Sequence, residues 1–453
     1  MEIVNKKISI IGAVRSGVAV ARLVKKLGGF PFVSDMSDES KLKDSINELE
    51  KESIDYETGK HSDRVYNCEL MIVSPGVPNE APVIAKAKEM KIDLIGEVEF
   101  AYRFCKGQII AITGTNGKTT TTSLCGHVFN QSGNNTFVAG NIGLAFSEIA
   151  LDVEENEFVV LEVSSFQLDM VEKFKPKIAM ILNITPDHLN RYDNKVENYA
   201  SSKQRIYENQ EKSDYLILNK DNGEVLKYLN DHNSKSFYFS LNEEVENGCF
   251  KKEDKIHFRI NSKNEFSCNV SDVKIKGEHN LANAMAVICA AKICKLDNAK
   301  IVKALQTFEG VEHRLELVRE IDGVKFINDS KATNVDSVWY ALRSFNEPIF
   351  LILGGQDKGN DYEQIKTLVL ERVKKIYAIG SSAEKVFNFF HTDVKVEVKI
   401  TLEEVITAAI NEARSGDVVL LSPACASFDM FSGYAQRGDI FCAAVRELAG
   451  GSK

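Results

Sequence analysis

The loop GTNGKTT combines glycines, a lysine and hydroxyl side chains in an order that suits phosphate binding. Gly114 and Gly117 can adopt the positive φ angles that turn successive backbone N–H groups towards an anion. Lys118 supplies a positive charge for the outer phosphates of a nucleotide, and the Thr119 hydroxyl is a suitable Mg²⁺ ligand. The usual G-x-x-x-x-G-K-[ST] spacing would need a glycine at Ile112, so we predict a variant P-loop. Its remaining residues are Thr115, Asn116 and Thr120.

An acidic residue belongs near such a loop, because P-loop enzymes hold Mg²⁺ with a carboxylate at the end of a neighbouring strand. Glu162 directly follows the apolar run FVVL and is the candidate for this role. The alternative is a carboxylate that ends a strand without any specific function.

These side chains need rigid elements to position them, and the chain predicts an α/β fold. Short apolar runs such as IIAI, FVVL and IAMIL alternate with helical patterns. Continuous runs of this kind are typical of parallel strands that helices cover on both faces. We predict three domains, at residues 1–98, 99–309 and 310–453. In the second domain, the polar, strand-rich stretch 236–273 predicts a small sheet appended to the main one.

The composition narrows the possible partners. The chain has 453 residues, 44% of them hydrophobic, and a formal net charge of −9. It has no dense basic block, so we expect no nucleic-acid partner. Its nine cysteines form no Cys-x-x-Cys pair, which favours buried reduced thiols over zinc or disulfide sites. No apolar stretch approaches the ~18 residues of a membrane helix, and the N-terminus does not resemble a signal peptide, so we expect a cytoplasmic protein without membrane insertion.

The first domain opens with an apolar strand and the loop GAVRSG at residues 12–17. This loop lacks the middle glycine of the dinucleotide-binding pattern G-x-G-x-x-G, which argues against NAD. A lone glycine loop is a weak signal, and a structural turn between a strand and a helix explains it equally well.

Further motifs follow the phosphate loop along the chain. Besides NIG and LEVSSFQLD, they are TPDHLNRY, SSKQRIYEN, GEHNLANAMA, HR at residues 313–314, NDSKATN, GGQDKG and SPACASFDMF. Together with GTNGKTT, this series resembles that of the Mur ligase family over nearly the whole chain. The last three motifs resemble those of the members that use D-glutamate, and we find no DNPR-type motif of the meso-diaminopimelate ligases.

The resemblance implies an ATP-dependent ligase that joins D-glutamate to UDP-N-acetylmuramoyl-L-alanine through an acyl phosphate, in the cytoplasmic stage of peptidoglycan synthesis. It also implies a Rossmann-like N-terminal domain for the UDP substrate, a central P-loop ATPase domain and a doubly wound, Rossmann-like C-terminal domain for the amino acid. The enzyme would be a monomer that uses ATP and two Mg²⁺ ions. The alternatives are a folylpolyglutamate synthase, which shares the loop, and a nucleotide-binding regulator that kept the fold.

The resemblance assigns roles to individual residues. The catalytic set would be Lys118, Glu162, His188, Lys203 and Lys331. The metal ligands would be Thr119, Glu162, His188 and Lys203, the last as a carbamate. ATP would contact the phosphate loop, Asn280, Asn283, Arg314 and Asp329. The UDP substrate would contact Arg15, Ser16, Asp35, Gly76, Asn141, Gln167 and His188, and D-glutamate would contact Thr333, Lys358, Ser427 and Tyr434.

Several of these residues also have plainer explanations. A lone histidine such as His188 is more often structural, and Lys203, in an expected helix, is the kind of lysine that is usually a solvated surface charge. Asn280 stands where an asparagine often caps a helix. Lys331 would equally fit a surface ion-pair network, and Lys358 a charged surface loop.

Overall fold

The computed structural model describes residues 1–357 and 359–448. The chain divides into two compact units. The first unit contains Met1–Lys274 and Ala282–Phe308, and the second contains Ile275–Leu281 and the chain from Glu309 onward.

The first unit opens with a five-stranded parallel sheet in the order β3-β2-β1-β4-β5. Its strands are β1 (Lys7–Ile11), β2 (Phe30–Asp35), β3 (Asp55–Thr58), β4 (Leu70–Val73) and β5 (Leu94–Gly96). Its helices are α1 (Arg15–Lys26), α2 (Lys43–Lys51), α3 (Pro82–Glu89) and α4 (Glu97–Tyr102). The strand order reverses between β1 and β4, and open parallel sheets bind ligands at the carboxyl ends of strands beside such a reversal. The loops GAVRSG and SPGVP, which follow β1 and β4, therefore share the edge where a ligand is expected.

The second sheet of the first unit has nine strands in the order β14-β13-β12-β11-β10-β9-β6-β8-β7. They are β6 (Gln108–Thr113), β7 (Thr136–Gly140), β8 (Phe158–Glu162), β9 (Ile178–Ile181), β10 (Tyr215–Asn219), β11 (Lys235–Ser240), β12 (Gly248–Lys252), β13 (Lys255–Ile260) and β14 (Lys263–Asn269). The helices that follow these strands are α5 (Lys118–Gln131), α6 (Phe146–Ile149), α7 (Ser165–Leu168), α8 (Val196–Gln204), α9 (Gly223–Lys227), α10 (Glu278–Ile293) and α11 (Asn298–Thr307). The strands β6 to β12 pair in parallel, whereas β13 and β14 are antiparallel. The polar stretch 236–273 thus extends the main sheet at one edge, within the same hydrogen-bonded ladder.

The sheet of the second unit has six strands in the order β15-β16-β20-β17-β18-β19. They are β15 (Glu316–Ile321), β16 (Val324–Asn328), β17 (Ile349–Gly354), β18 (Val373–Ile379), β19 (Lys395–Val398) and β20 (Val418–Leu421). The helices are α12 (Val335–Arg343), α13 (Glu363–Arg372), α14 (Ala383–Phe390), α15 (Leu402–Glu412) and α16 (Tyr434–Glu447). Only the edge strand β15 is antiparallel to its neighbour.

The apolar runs are buried on both faces of these sheets, as their lack of alternation predicts. In β1, the neighbouring residues Ile10 and Ile11 point to opposite faces, and each lies in its own apolar cluster. In β20, Leu420 and Leu421 do the same in the second unit. The prediction of an α/β fold with helix-covered, largely parallel sheets is confirmed. Among the described residues, no helix combines the length and apolar character needed to cross a membrane.

Candidate active site

The phosphate loop lies between strand β6 and helix α5, as its sequence predicts. Gly114 and Gly117 have φ angles of 156° and 83°, in the range that favours glycine. The Lys118 side chain folds back over the loop, and its Nζ donates to the carbonyl oxygens of Gly114 and Thr115 at 2.9 and 2.8 Å. The ammonium is thus held above the loop, at the N-terminus of a 14-residue helix. Both features favour an anion at this position.

Asn283 of α10 packs closely against this loop. A Cβ atom built on Gly117 would lie 2.6 Å from the Asn283 Oδ1 atom, so only glycine leaves room for the asparagine. Asn283 thus lies beside the phosphate loop, and its contact with ATP stays a prediction. Asn280 belongs to the second unit, where its Nδ2 atom donates to the carbonyl oxygen of Lys276 at 2.7 Å.

Lys203 is a buried lysine inside the candidate site. Its residue is 1% exposed, its Nζ donates to the Gly114 carbonyl oxygen at 2.8 Å, and the same atom lies 4.4 Å from the centre of the Tyr199 ring. Burial, and next the positive charge of Lys118, hold the pKa of Lys203 well below its usual range. The predicted helix is confirmed as α8, but the alternative of a solvated surface charge is wrong, because α8 packs its Lys203 side against the phosphate loop.

Glu162 ends strand β8, as predicted, and is buried. Its Oε1 atom accepts a hydrogen bond from the Asn141 side chain at 2.9 Å. Its Oε2 atom is also buried but has no hydrogen-bond partner. A buried carboxylate oxygen without a partner is costly, and a bound cation would satisfy it. Glu162 therefore fits the predicted Mg²⁺ ligand, together with the buried Thr119 at the start of α5.

The other predicted metal ligand, His188, lies in the loop after β9 with a left-handed backbone φ of 52°. Its Nε2 atom is 3.6 Å from the Asp187 carboxylate, and its ring packs edge-on against Phe166. Asp187 and Glu162 both act electrostatically on Lys203, so these residues share one neighbourhood. Within the part of the chain that the structure describes, no three His, Cys, Asp or Glu side chains form a metal cluster. A complete Mg²⁺ shell would thus need hydroxyl, phosphate or carbamate oxygens.

The predicted UDP-substrate residues of the first sheet surround its carboxyl edge. Arg15 donates to the carbonyl oxygens of Gly143 and Gly140 at 2.7 and 3.0 Å, which ties the loop after β1 to the loop that carries Asn141. Asp35 ends β2 as expected, and its carboxylate accepts from the backbone N–H of Ala13 at 2.7 Å.

The remaining predicted UDP-substrate residues have different surroundings. Ser16 lies in the first turn of α1. A Cβ atom on Gly76 would meet nothing within 4 Å, so the space beside this glycine is open. Gln167 is buried, and its side-chain oxygen accepts from the backbone and hydroxyl of Ser164 in the cap of α7.

In the second unit, the two residues predicted to contact ATP, Arg314 and Asp329, lie beside each other. Arg314 Nη1 is 3.7 Å from the Asp329 carboxylate, which also accepts from the Ser422 hydroxyl at 2.9 Å. Burial raises the pKa of Asp329 to about 6, against the opposing effects of Arg314 and of the hydrogen bonds from Ser422 and from the Leu315 N–H. The Asp329 carboxylate thus contacts Arg314 in surroundings that are largely shielded from solvent.

Two of the predicted D-glutamate residues lie in loops of this unit. Ser427, in the loop after β20, is buried, and Thr333, in the loop before α12, is half-buried. Tyr434 begins α16, and its hydroxyl accepts from Lys331 Nζ at 3.4 Å. Lys358 lies outside the described residues.

The sequence interpretation missed two residues that organise these loops. Arg437 of α16 is 0% exposed, and its guanidinium donates to Ser330 and to the carbonyl oxygens of Cys425 and Ala426. It thereby joins the loop of Lys331 and Thr333 to the loop of Ser427. In the first unit, Asn183 pairs with the backbone of Asn116 in the phosphate loop. No sequence signal distinguishes the buried Arg437 from an arginine on the surface of a helix. Asn183 directly follows a predicted strand, and this position could have marked it as a candidate.

The chain is similar to known protein families along most of its length. The N-terminal domain of MurD matches residues 7–83, the Mur ligase middle domain matches residues 112–291, and the glutamate ligase domain of Mur ligases matches residues 313–425.

Relatives of full length are also found. The UDP-N-acetylmuramoylalanine–D-glutamate ligase of Koribacter versatilis is 43% identical over 453 residues, with 99% of each chain covered. That of Chloroherpeton thalassium is 41% identical over 464 residues, again with 99% of each chain covered. The crystal structure of a UDP-N-acetylmuramate–alanine ligase from Thermotoga maritima has a TM-score of 0.63 at 20% identity, covers 98% of this chain and 100% of its own, and is similar in fold.

Proposed function

This chain belongs to the Mur ligase family, and from this premise we propose that it joins D-glutamate to UDP-N-acetylmuramoyl-L-alanine with the conversion of ATP to ADP and phosphate. The observation that carries the proposal is the identity of 43% and 41% to two D-glutamate ligases along 99% of the chain. The product would be a precursor of peptidoglycan. We place the reaction in the cytoplasm, where ATP and UDP-linked precursors are available, and propose that a monomer carries it out.

The reaction needs an activated acid, because a carboxylate has no good leaving group. In the first step, a carboxylate oxygen of the alanyl group bonds to the γ-phosphorus of ATP, and the bond to ADP breaks. In the second step, the amine of D-glutamate bonds to the acyl carbon, the C–O bond to phosphate breaks, and the amine loses a proton. The protein contributes orientation and charge neutralisation to both steps.

The phosphate loop would hold the ATP phosphates in this scheme. Lys118 already lies over the loop backbone, from where its charge can reach the outer phosphates. Asn280, Asn283, Arg314 and Asp329 would complete the ATP contacts, and Lys331 would neutralise phosphate charge. Asn283 is supported by its close approach to Gly117, and Arg314 by its contact with Asp329.

We propose two Mg²⁺ ions, which would supply positive charge to the phosphates. The orphaned Oε2 atom of Glu162 and the hydroxyl of Thr119 would hold one ion. His188 and a modified Lys203 would hold the second. An unmodified Lys203 ammonium beside Lys118 would repel a cation, so the fit depends on the modification.

Lys203 is proposed to carry a carbamate. The neutral amine would bond to the carbon of CO₂ and lose a proton, and the result is an anionic group with two oxygens. The burial that lowers the pKa of Lys203 supports this step, because only the neutral amine has a lone pair to donate. Hard cations such as Mg²⁺ prefer oxygen ligands of this kind.

The substrates are assigned to the proposed outer domains. Residues 1–98 would bind the UDP part through Arg15, Ser16, Asp35 and Gly76. From the proposed central domain, residues 99–309, the same substrate would also contact Asn141, Gln167 and His188. Residues 310–453 would bind D-glutamate through Thr333, Lys358, Ser427 and Tyr434. Arg437 supports the assignment of D-glutamate, because it holds the loops of Thr333 and Ser427 together.

The proposal is tested by the substrate dependence of phosphate release. Purified protein with ATP and Mg²⁺ should release phosphate only when both UDP-N-acetylmuramoyl-L-alanine and D-glutamate are present. Mass spectrometry should show a product equal to the two substrates minus one water. Equal turnover with L-glutamate, or turnover without the muramoyl substrate, would overturn the proposal.

A pair of lysine variants checks that the reaction takes place at this loop. Lys118→Ala should lose ~10²-fold or more of the turnover, as expected when a group that stabilises transition-state charge is removed. Lys300→Ala is the matched control, since Lys300 also donates to a backbone carbonyl, that of Ser132 at the far end of α5. It should retain full turnover. Similar losses in both variants would show that the phosphate loop is not the catalytic one.

A further inference from the structure

The loop that follows β9 runs beside the phosphate loop, and Asn183 makes three hydrogen bonds to it. The backbone N–H of Asn116 donates to Asn183 Oδ1 at 2.8 Å, and Asn183 Nδ2 donates back to the Asn116 carbonyl oxygen at 3.0 Å. The backbone N–H of Thr115 donates to the Asn183 carbonyl oxygen at 3.0 Å. We propose that Asn183 is a positioning residue for the ATP phosphates, because it sets the orientation of the phosphate-loop backbone.

These three hydrogen bonds involve three consecutive peptide planes. The Thr115 N–H belongs to the peptide between residues 114 and 115, the Asn116 N–H to the next, and the Asn116 carbonyl to the peptide between residues 116 and 117. Every peptide between the two glycines with positive φ is therefore held by Asn183. The backbone rotates easily at glycine, and the brace holds the loop before Gly117 in one orientation, so that the N-terminus of α5 and Lys118 keep their place beside an anion.

The carbonyl oxygens of the same loop are held from the other side. Lys118 takes those of Gly114 and Thr115, and Lys203 also takes that of Gly114. A Cβ atom on Gly114 would lie 3.3 Å from the Asn183 backbone nitrogen, so the two segments are in close contact. Asn183 and the two lysines thus fix opposite sides of one short loop.

The brace continues towards His188. The Thr115 hydroxyl accepts from the Thr185 N–H at 3.0 Å and donates to the Thr185 carbonyl oxygen at 3.1 Å. The chain is therefore hydrogen-bonded to the phosphate loop at both Asn183 and Thr185, three residues before His188. If the proposed function holds, this arrangement would fix the position of the proposed metal ligand His188 relative to the ATP phosphates.

An amide is required at position 183 because it donates and accepts at once. Asn183→Asp keeps the acceptor for the Asn116 N–H but faces the Asn116 carbonyl with a second acceptor, and it adds a negative charge beside the phosphate site. Asn183→Ala removes both bonds without adding a charge. If Asn183 positions phosphates, the aspartate variant should bind nucleotide more weakly than the alanine variant. A purely structural residue would show the reverse, since aspartate keeps one bond and the shape.

Asn219→Ala is the matched control. Asn219 Nδ2 donates to the carbonyl oxygen of Leu182 at 2.8 Å, so this amide supports the same loop one residue before Asn183. It is not bonded to the phosphate loop. Both alanine variants should lose a similar amount of thermal stability, but only Asn183→Ala should lose nucleotide affinity.

The experiment measures binding of ADP with Mg²⁺ to the full-length protein by calorimetry, and the KM values in the ligase assay. We expect Asn183→Ala to weaken ADP binding and raise the KM for ATP by about tenfold or more, with the KM for the UDP substrate unchanged, because small misplacements of a binding loop are costly. Asn183→Asp should bind ADP still more weakly. Its affinity relative to the unmodified protein should recover at lower pH, since a protonated carboxyl both donates and accepts.

Three results would overturn the inference. These are unchanged ADP binding in Asn183→Ala, an equal loss in Asn219→Ala, or tighter binding by Asn183→Asp than by Asn183→Ala. If Asn183→Ala does not fold, the isosteric Asn183→Asp and its pH dependence carry the test. ADP binding is independent of the amino acid joined. A protein that binds ADP through Asn183 but does not use D-glutamate would therefore refute the proposed function and leave the role of Asn183 standing.

Discussion

Each of the two units buries a basic side chain against backbone carbonyl oxygens. The two side chains differ in whether they can lose their proton. Lys203 of the first unit is 1% exposed and donates to the Gly114 carbonyl. Arg437 of the second unit is 0% exposed and donates to carbonyl oxygens of Ser330, Cys425 and Ala426. Both lie beside loops that carry proposed substrate contacts. Lys203 can lose its charge in a chemical reaction, whereas Arg437 keeps its charge.

Burial lowers the pKa of both side chains, but with different consequences. The pKa of Lys203 lies well below its usual range, so the amine can lose its proton and react. The pKa of Arg437 falls to about 10, so the guanidinium remains charged at neutral pH. The planar guanidinium also reaches several acceptors at once, whereas the amine has one main partner. Burial therefore fits the lysine to the proposed modification, whereas the arginine stays charged and braces two loops.

The largest expected effect is the loss of activity in Lys203→Ala. Without the proposed carbamate, the proposed Mg²⁺ site would lack an oxygen ligand, and turnover should fall ~10²-fold or more, the scale seen when one group that stabilises transition-state charge is lost. Added formate or acetate should restore part of the activity, because these anions fit the vacated space. The check is a ligase assay with and without the added acid, in buffer with and without bicarbonate. Near-normal turnover of Lys203→Ala alone would remove this residue from the site.

The next largest effect is expected from Arg437→Met, which keeps the volume but removes the donors. Each buried carbonyl oxygen left without a hydrogen-bond partner costs ~1–3 kcal/mol. The free energy of unfolding of the second unit should therefore fall by at least this amount. The KM for D-glutamate should rise as the two loops separate, while ADP binding to the first unit changes little. Urea unfolding and steady-state kinetics measure both. Arg437→Lys is the control and should recover only part of the stability. A fully stable Arg437→Met would show that the guanidinium is no brace.

The pH dependence of stability should reveal Asp329, whose charge interacts with Arg437 and Arg314. Burial raises the pKa of this carboxyl to about 6, above its ordinary value of 3.8. The folded state therefore holds the proton that the unfolded state releases between these pH values. Its contribution to the free energy of unfolding is full at the acid end and falls by ~1.4 kcal/mol per pH unit as pH rises through this window.

Asp329→Asn should remove this part of the pH dependence, because an amide does not titrate. Urea unfolding across the window would compare the slopes of the two proteins. If the free energy of unfolding of both proteins changes equally with pH, then Asp329 titrates normally. Its surroundings would then be more accessible to solvent than its burial indicates.

The smallest effect is expected at Lys375, a third buried cation that tests whether burial alone sets a lysine's chemistry. Lys375 donates to Glu397 and Glu412 at 2.5 Å each, and although burial opposes its charge, these bonds raise its pKa above the usual value. Lys375→Met should cost about 1 kcal/mol in the free energy of unfolding, because both carboxylates are partly solvated and can be hydrated. Turnover and its CO₂ dependence should not change. Any loss of turnover would connect this cluster with the site.

The local parts of the site were predictable from the chain. Glycine spacing, an apolar strand before it and a helix after it specify the phosphate loop between β6 and α5 through short-range geometry. The same holds for Glu162, because a carboxylate that follows four apolar residues falls at the end of the strand. The strand-rich stretch 236–273 was located but not the pairing of its strands, since the register between strands depends on which edge is available.

What the sequence determined by itself is the list of reactive groups, the elements that carry them and, through their order, the family. What only the tertiary structure decided is which groups lose contact with water and which loops are paired. Lys203 reaches a carbonyl 89 residues away, Asn183 pairs with a residue 67 positions before it, and Arg437 bonds to Ser330 at a separation of 107 residues. Local patterns do not encode such contacts. They form when sheets and helices bury their apolar faces, and the desolvation that follows lowers the pKa values of Lys203 and Arg437 and leaves one Glu162 oxygen without a hydrogen-bond partner.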